Sequence, residues 1–263
     1  MGSWEVAFSA FAAMLAFQTL VWAISVPARN AGIVDVAWGP SFVVGALVAF
    51  ANGGAPDGRR WLVLVMVVLW AVRLAWHIGR RNIGKPEDHR YAAWREKYGA
   101  ERYWWFSLFQ VFWLQAAIAW VVALPVFAAM TSATPGFPSV FDVLGFAVWA
   151  VGLGIEATAD AQLARFKADP ANAGTVMDRG LWGWSRHPNY FGEAVLWWGI
   201  GLVALWTTWW WSAFVGPALI TFLLLRVSGV AMLDRTMPAR RPGYAEYIER
   251  VPAFIPRRPA ARD

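Results

Sequence analysis

Trp61-Leu-Val-Leu-Val-Met-Val-Val-Leu-Trp70-Ala-Val-Arg73-Leu-Ala-Trp-His77 runs twelve residues without a charge before reaching Arg73. Its apolar side chains fall at every position, so it has neither the alternation of a half-buried strand nor the single stripe of a soluble surface helix. Strands of an outer-membrane barrel are shorter and alternate, which excludes that class as well. A helix needs about 20 mostly apolar residues to cross the hydrocarbon core of a bilayer. Working outward, seven stretches meet that length: 5–26, 32–51, 60–78, 104–128, 140–161, 189–209 and 212–232. The last two are nearly continuous, so either Gly216 and Pro217 or the polar pair Thr207 and Thr208 should mark a tight hairpin.

Composition agrees with a membrane class. Of 263 residues, 59% are hydrophobic and only 15% charged, against about 25% charged in soluble domains. Mean hydropathy is +0.42. Twenty Trp are many for this length and suit headgroup-level anchoring. With no Cys, thiolate catalysis and Cys-ligated metals are excluded. His77, His89 and His187 are far apart and lack carboxylates at ligand spacing, so no metal is expected.

Charge placement orients the chain. Basic residues gather after the first, third and fifth stretches and in the tail, while the opposite side holds only Arg59 and Arg60. The expectation is an all-α polytopic membrane protein of seven transmembrane helices, N-terminus out and C-terminus cytosolic, in a bacterial inner membrane or its equivalent. The net charge of +6 then serves headgroups or a phosphorylated small molecule, not nucleic acid. One domain and a monomer are expected, with 1–103 as substrate-side helices and 104–263 as a cofactor-binding half with its tail.

Ionisable groups inside a span need a partner, a wet cavity or a ligand. Asp35 and Trp38 share a face of the second stretch, Trp70, Arg73 and His77 one of the third, Glu156 and Asp160 one of the fifth, with Lys167 two turns on. Asn189 and Glu193 open the sixth. All lie toward the cytosolic ends, which suggests a single polar cavity open to the cytosol; Asp142 is the exception. For Arg73, snorkelling remains an open alternative, and for Glu156 and Asp160 a structural pairing with Arg165 or Lys167 does. Gly152, Gly154 and Ala157 match Gly-x-Gly-x-x-Ala, but inside a spanning helix these small residues favour close packing rather than a dinucleotide turn.

Gly180-Leu-Trp-Gly-Trp-Ser-Arg-His-Pro-Asn-Tyr-Phe-Gly-Glu193 places Arg186 and His187 just before a helix N-terminus, a natural anion site. Asn189 adds an amide suited to a carboxamide or ribose. This run, with Arg240-Arg241-Pro-Gly-Tyr244-Ala-Glu-Tyr247, Ala253-Phe-Ile-Pro256, Asp35-Val-Ala-Trp38-Gly39 and Gly84-Lys-Pro-Glu-Asp88-His-Arg-Tyr91, resembles the steroid 5-alpha-reductase family and its bacterial relatives. The shorter Arg-His-Pro-x-Tyr is shared with sterol reductases and isoprenylcysteine methyltransferases.

The resemblance implies a membrane reductase using NADPH to reduce the alkene of a 3-oxo-delta-4 steroid or a similar lipophilic enone. It implies that Asn189 and Glu193 hold the nicotinamide end, beside Tyr190. Asp160, Lys167, Arg186 and His187 would lie in the cofactor loop. Asp234, Arg240, Arg241, Tyr244 and Tyr247 would belong to a tail closing over adenine and phosphates. The Gln-Glu pair and the Tyr that polarise the ketone in vertebrate enzymes have no counterparts here. Asp35, held protonated by burial, would take that role, with Trp38 or Tyr91 as donor, and on the third stretch Trp70 lies near the matching place with Arg73 following. The competing class is an S-adenosylmethionine-dependent methyltransferase of the isoprenylcysteine type, and a third is a transporter or sterol receptor without turnover.

Overall fold

The computed structural model describes residues 1–55, 57–82, 84–132, 136–227, 229–230, 234, 237 and 241–258. They are helical throughout, with no strand among them. Helix α1 spans Ser3–Ala28, α2 Ile33–Asn52 and α3 Gly58–Asn82, followed by the short α4, His89–Tyr98. Helix α5 (Ala100–Ser107) passes through a π-helical stretch, Leu108–Trp113, into α6 (Leu114–Val122). Helices α7 (Leu124–Thr131), α8 (Val140–Ala168), α9 (Pro188–Ala204), α10 (Ser212–Phe222) and α11 (Tyr244–Arg250) complete the order.

Among the described residues, five helices are long and apolar enough to cross a membrane: α1, α2, α3, the run Ala100–Val122 and α8. Helix α3 shows why this reading holds. Val63, Met66, Val67 and Trp70 are buried, yet Trp61, Val65, Leu69, Val72 and Trp76 on the other side are about half exposed or more. A helix apolar on both faces needs lipid where it lacks protein.

The stretch read as 104–128 is subdivided, and the hairpin expected between 189–209 and 212–232 is present. Pro125 starts a new helix because its ring cannot continue the preceding one, so α6 ends at Val122 and α7 begins at Leu124. Of the two hairpin positions, the Thr pair is the break: 205–211 are turns in which Thr207 Oγ1 donates to the Ala204 carbonyl at 2.6 Å, while Gly216 and Pro217 lie within α10. Helix α9 has 17 residues, and the 11 of α10 run on into a π-helical Leu223–Val227, so among the described residues each run is shorter than the roughly 20 residues of a full crossing.

The chain divides into two compact units. The first comprises 1–142 and 203–216. Within it Gly39 lets α2 approach α3, where a Cβ would stand 2.9 Å from the Ala71 carbonyl oxygen. Arg59 and Asp142 form a buried two-bond pair, Nε to Oδ1 at 2.7 Å and Nη2 to Oδ2 at 2.8 Å. This gives Asp142, the outlying intramembrane acid of the sequence, a countercharge.

The second unit comprises 143–202 and 217–263. Helices α8 and α9 meet at glycines: a Cβ on Gly152 would lie 2.4 Å from the Leu196 nitrogen, and one on Gly192 2.6 Å from the Glu156 nitrogen. Gly152 is thus a packing glycine, and Gly154 faces open space. Backbone cannot retreat as a flexible side chain can, so Gly192→Ala should destabilise by about 1–3 kcal/mol. Thermal unfolding of that variant beside Gly154→Ala, which should be near neutral, checks this.

Candidate functional site

In the second unit the candidate residues gather around the loop before α9 and the tail. Gly180 takes the positive φ of 58° that turns the chain after α8, and Leu181 N donates to Gln162 Oε1 at 3.0 Å. The Trp182 indole donates to the Ala159 carbonyl at 2.9 Å, holding the loop on α8. Arg186 is buried and fully engaged. Its Nε and Nη2 donate to Asp234 at 3.3 and 2.5 Å, and Nη1 donates to the carbonyls of Ile248 and Val251. His187 Nε2 stands 3.4 Å from Asp234 Oδ1, and Tyr244 donates to the same oxygen at 3.2 Å. The Tyr247 hydroxyl donates to the Trp182 carbonyl, and Ser185 Oγ to that of Phe254.

The anion site read at Arg186 and His187 is therefore filled by the chain's own carboxylate. These residues clamp the tail onto the loop before α9. Burial alone would raise the Asp234 pKa, but hydrogen bonds from His187 and Arg186 outweigh it and hold the carboxyl well below its usual value. A depressed folded pKa contributes stability that is complete above the unfolded value of about 3.9 and is lost as pH falls through the folded one. Asp234→Asn should therefore narrow its stability deficit against the native protein as the pH is lowered below about 5, followed by melting temperature against pH.

Deeper in this unit, Asn189 Nδ2 donates to the buried Asp160 at 3.1 Å, and Asn189 Oδ1 is sealed from solvent with no hydrogen-bond partner. Glu193 is buried one turn along α9, and Tyr190 stacks on His187 with ring centroids 5.6 Å apart. Arg241 Nη1 donates to the carbonyl of Thr175 at 3.0 Å, and Thr175 borders a groove of 310 Å³ with Asp178, Gly243, Tyr247 and Arg250. Lys167 lies exposed near the end of α8. Arg240 lies outside the described residues.

In the first unit, Asp35 accepts from Tyr91 OH at 2.7 Å and from Arg90 Nη2 at 3.0 Å, each on a different oxygen. Asp88 caps α4 by accepting from Arg90 N at 2.9 Å and also takes Arg90 Nε at 2.9 Å. Beside it Glu87 accepts twice from Arg95, at 2.8 and 2.9 Å, and from Ala31 N at 2.7 Å, so α4 is tied to the turn between α1 and α2. Burial, then the Asp35 carboxylate, push the Tyr91 pKa far up, so its hydroxyl stays a donor. Burial would raise Asp88, but its bonds from Arg90 overcome this and lower it.

Trp38 lies about one turn beyond Asp35 on α2, its ring edge-on to Phe42 at 5.2 Å, and Phe42 in turn meets Trp70 at 5.1 Å. Arg73 is half-buried on α3. Residues the sequence reading passed over are Glu87, Asp88, Arg90 and Arg95. The signal was present: an intramembrane Asp35 requires a cation, and Arg90 adjoins the Tyr91 already singled out.

The profile of a family described as "Protein of unknown function (DUF1295)" matches residues 21–251. An uncharacterized protein of Schizosaccharomyces pombe is 25% identical over 271 aligned positions, which cover 90% of this chain and 76% of that protein. No solved structure matches.

Proposed function

The chain belongs to the DUF1295 family, and from that footing we propose that it is a membrane-embedded, NADPH-dependent reductase of the steroid 5-alpha-reductase type, acting on the alkene of a lipophilic enone. The observation that carries this reading is Asn189. Asp160 fixes its amide nitrogen, and its Oδ1 is left buried without a donor. A buried acceptor left unpaired is costly, and a carboxamide N–H is the group that nicotinamide would bring to it. The groove beside Arg241 offers carboxylate and tyrosyl groups for ribose and adenine, and the remaining guanidinium nitrogens of Arg241 suit a phosphate. Arg186 and His187, engaged by Asp234 and, for Arg186, by two tail carbonyls, would serve this site by positioning the tail.

NADPH supplies a hydride when bound. The chain must meet the negative charge that develops on the substrate's ketone oxygen as the β-carbon is reduced, before the α-carbon takes a proton. In the first unit the candidate donor for that oxygen is the Tyr91–Asp35 pair: the phenol has a single proton, so it serves the ketone when Asp35 itself carries a proton and donates to the phenol oxygen in turn. The apolar, aromatic-rich spans suit a steroid or another lipophilic enone. The finer topology belongs to the same proposal: seven crossings with α9 and α10 included, N-terminus out, and both polar clusters served from the cytosol of a bacterial inner membrane, supported by the bias of Lys and Arg.

Saturating NADPH at about 100 times its dissociation constant should stabilise the purified protein by about 2.7 kcal/mol, with S-adenosylmethionine giving no shift. Stabilisation by S-adenosylmethionine alone would transfer the reading to methyl transfer.

A further inference from the structure

Arg60 is 6% exposed, and its Nε and Nη1 are sealed from solvent without a hydrogen-bond partner. Its Nη2 donates to the Gly53 carbonyl, and no carboxylate among the described residues lies within ion-pair distance of the guanidinium. The neighbouring Arg59 has Asp142; Asp57 spends Oδ1 on the backbone nitrogen of Arg60 at 2.9 Å. A guanidinium cannot shed its charge, so burial with two donors unmet is a cost that calls for an anion. The position adds to the demand, because Arg60 is the third residue of α3, whose N-terminal dipole is itself positive.

We propose that Arg60 is an anion site for a phosphate-type oxyanion at this end of the first unit. Access is through Gly54. That residue is exposed with a φ of 107°, and a Cβ on it would stand 3.1 Å from Nη2 and 3.4 Å from Nη1 of Arg60, so the guanidinium lies one glycine below the surface. A second polar group is unmet at the same corner. The Met130 carbonyl packs against Gly53, and Ser132, two residues on, has a buried hydroxyl without a partner. The end-on fork of Nη1 and the second proton of Nη2, the two nitrogens nearest Gly54, matches two oxygens of a phosphate. The source is either a phospholipid headgroup or free phosphate. Trp61, next in the chain, is 54% exposed with its ring edge against Phe50 at 4.6 Å, as expected of an aromatic at headgroup level. This site is independent of the reductase reading.

The test uses the full chain, delipidated in nonionic detergent. Melting temperature is compared in sodium phosphate against sodium chloride at equal ionic strength, and with phosphatidylglycerol against a phosphate-free galactolipid. A rise of about 3 °C or more is expected with at least one phosphate source, lost in Arg60→Gln. A rise with phosphatidylglycerol alone assigns the headgroup, and a rise with inorganic phosphate assigns the free anion. No rise with either overturns the site, as does an equal rise in Arg60→Gln. If Arg60→Gln does not fold, Arg60→Lys decides: a rise cut below half supports the site, and an undiminished one overturns it.

Discussion

Arg186→Ala is expected to lower stability by about 3–5 kcal/mol and to release the C-terminal tail. The guanidinium is 8% exposed and donates to Asp234 twice and to two tail carbonyls. Removing it strands a carboxylate that is only 21% exposed and leaves the carbonyls of Ile248 and Val251 without this donor. The backbone of the same residue donates to the Pro252 carbonyl at 2.9 Å and would still do so, which localises the loss to the side chain. Arg186→Lys should recover little, because a single ammonium cannot reach the carboxylate and two carbonyls at once. Limited proteolysis around 244–258 with thermal unfolding measures both effects. A tail equally protected in Arg186→Ala would show that Tyr247 and Ser185 suffice to hold it.

Tyr91→Phe is expected to lower kcat for enone reduction about 10²- to 10³-fold while leaving NADPH affinity within a factor of two or so. The hydroxyl is the group of this cluster that would meet the ketone oxygen, and the phenyl ring keeps the buried packing with Trp94 and the α1–α2 turn. Asp35 retains Arg90 at 3.0 Å, so the fold has no orphaned charge to answer for. Asp35→Asn should also slow turnover, since an amide is a weaker donor to the phenol than a carboxyl group is. Full activity in Tyr91→Phe would remove Tyr91 from the chemistry and leave the Asn189 pocket untouched.

The membrane helices were legible because length and uninterrupted apolarity are properties of contiguous residues: 5–26, 32–51, 60–78 and 140–161 each lie inside an observed helix apart from the first residue of the second. The subdivisions were less so. Pro125 signalled its own break, but the shortness of α9 and α10 follows from turns at 205–211 whose Trp residues pack in a cluster: Trp209 meets Trp4 at 4.2 Å, a contact across two hundred residues that no local pattern announces. The site divides the same way. Asp160 and Asn189 were both recognisable as polar residues at helix positions, and the structure joins them across the α8–α9 glycine contact. The role of Arg186 was not recognisable, because two of its partners are backbone carbonyls, which every residue carries. Arg90 escaped notice because its meaning depends on Asp35, 55 positions earlier.

Hydride transfer itself is the most direct measurement. The protein in lipid nanodiscs is incubated with progesterone or a shorter-chain enone and NADPH deuterated at C4, the two stereoisotopomers in separate reactions, and the product is read by mass spectrometry. One isotopomer should place a single deuterium on the β-carbon of the reduced enone, and Asn189→Ala should abolish the transfer. NADPH left unoxidised across the enones, with methyl transfer from S-adenosylmethionine under the same conditions, would contradict the account.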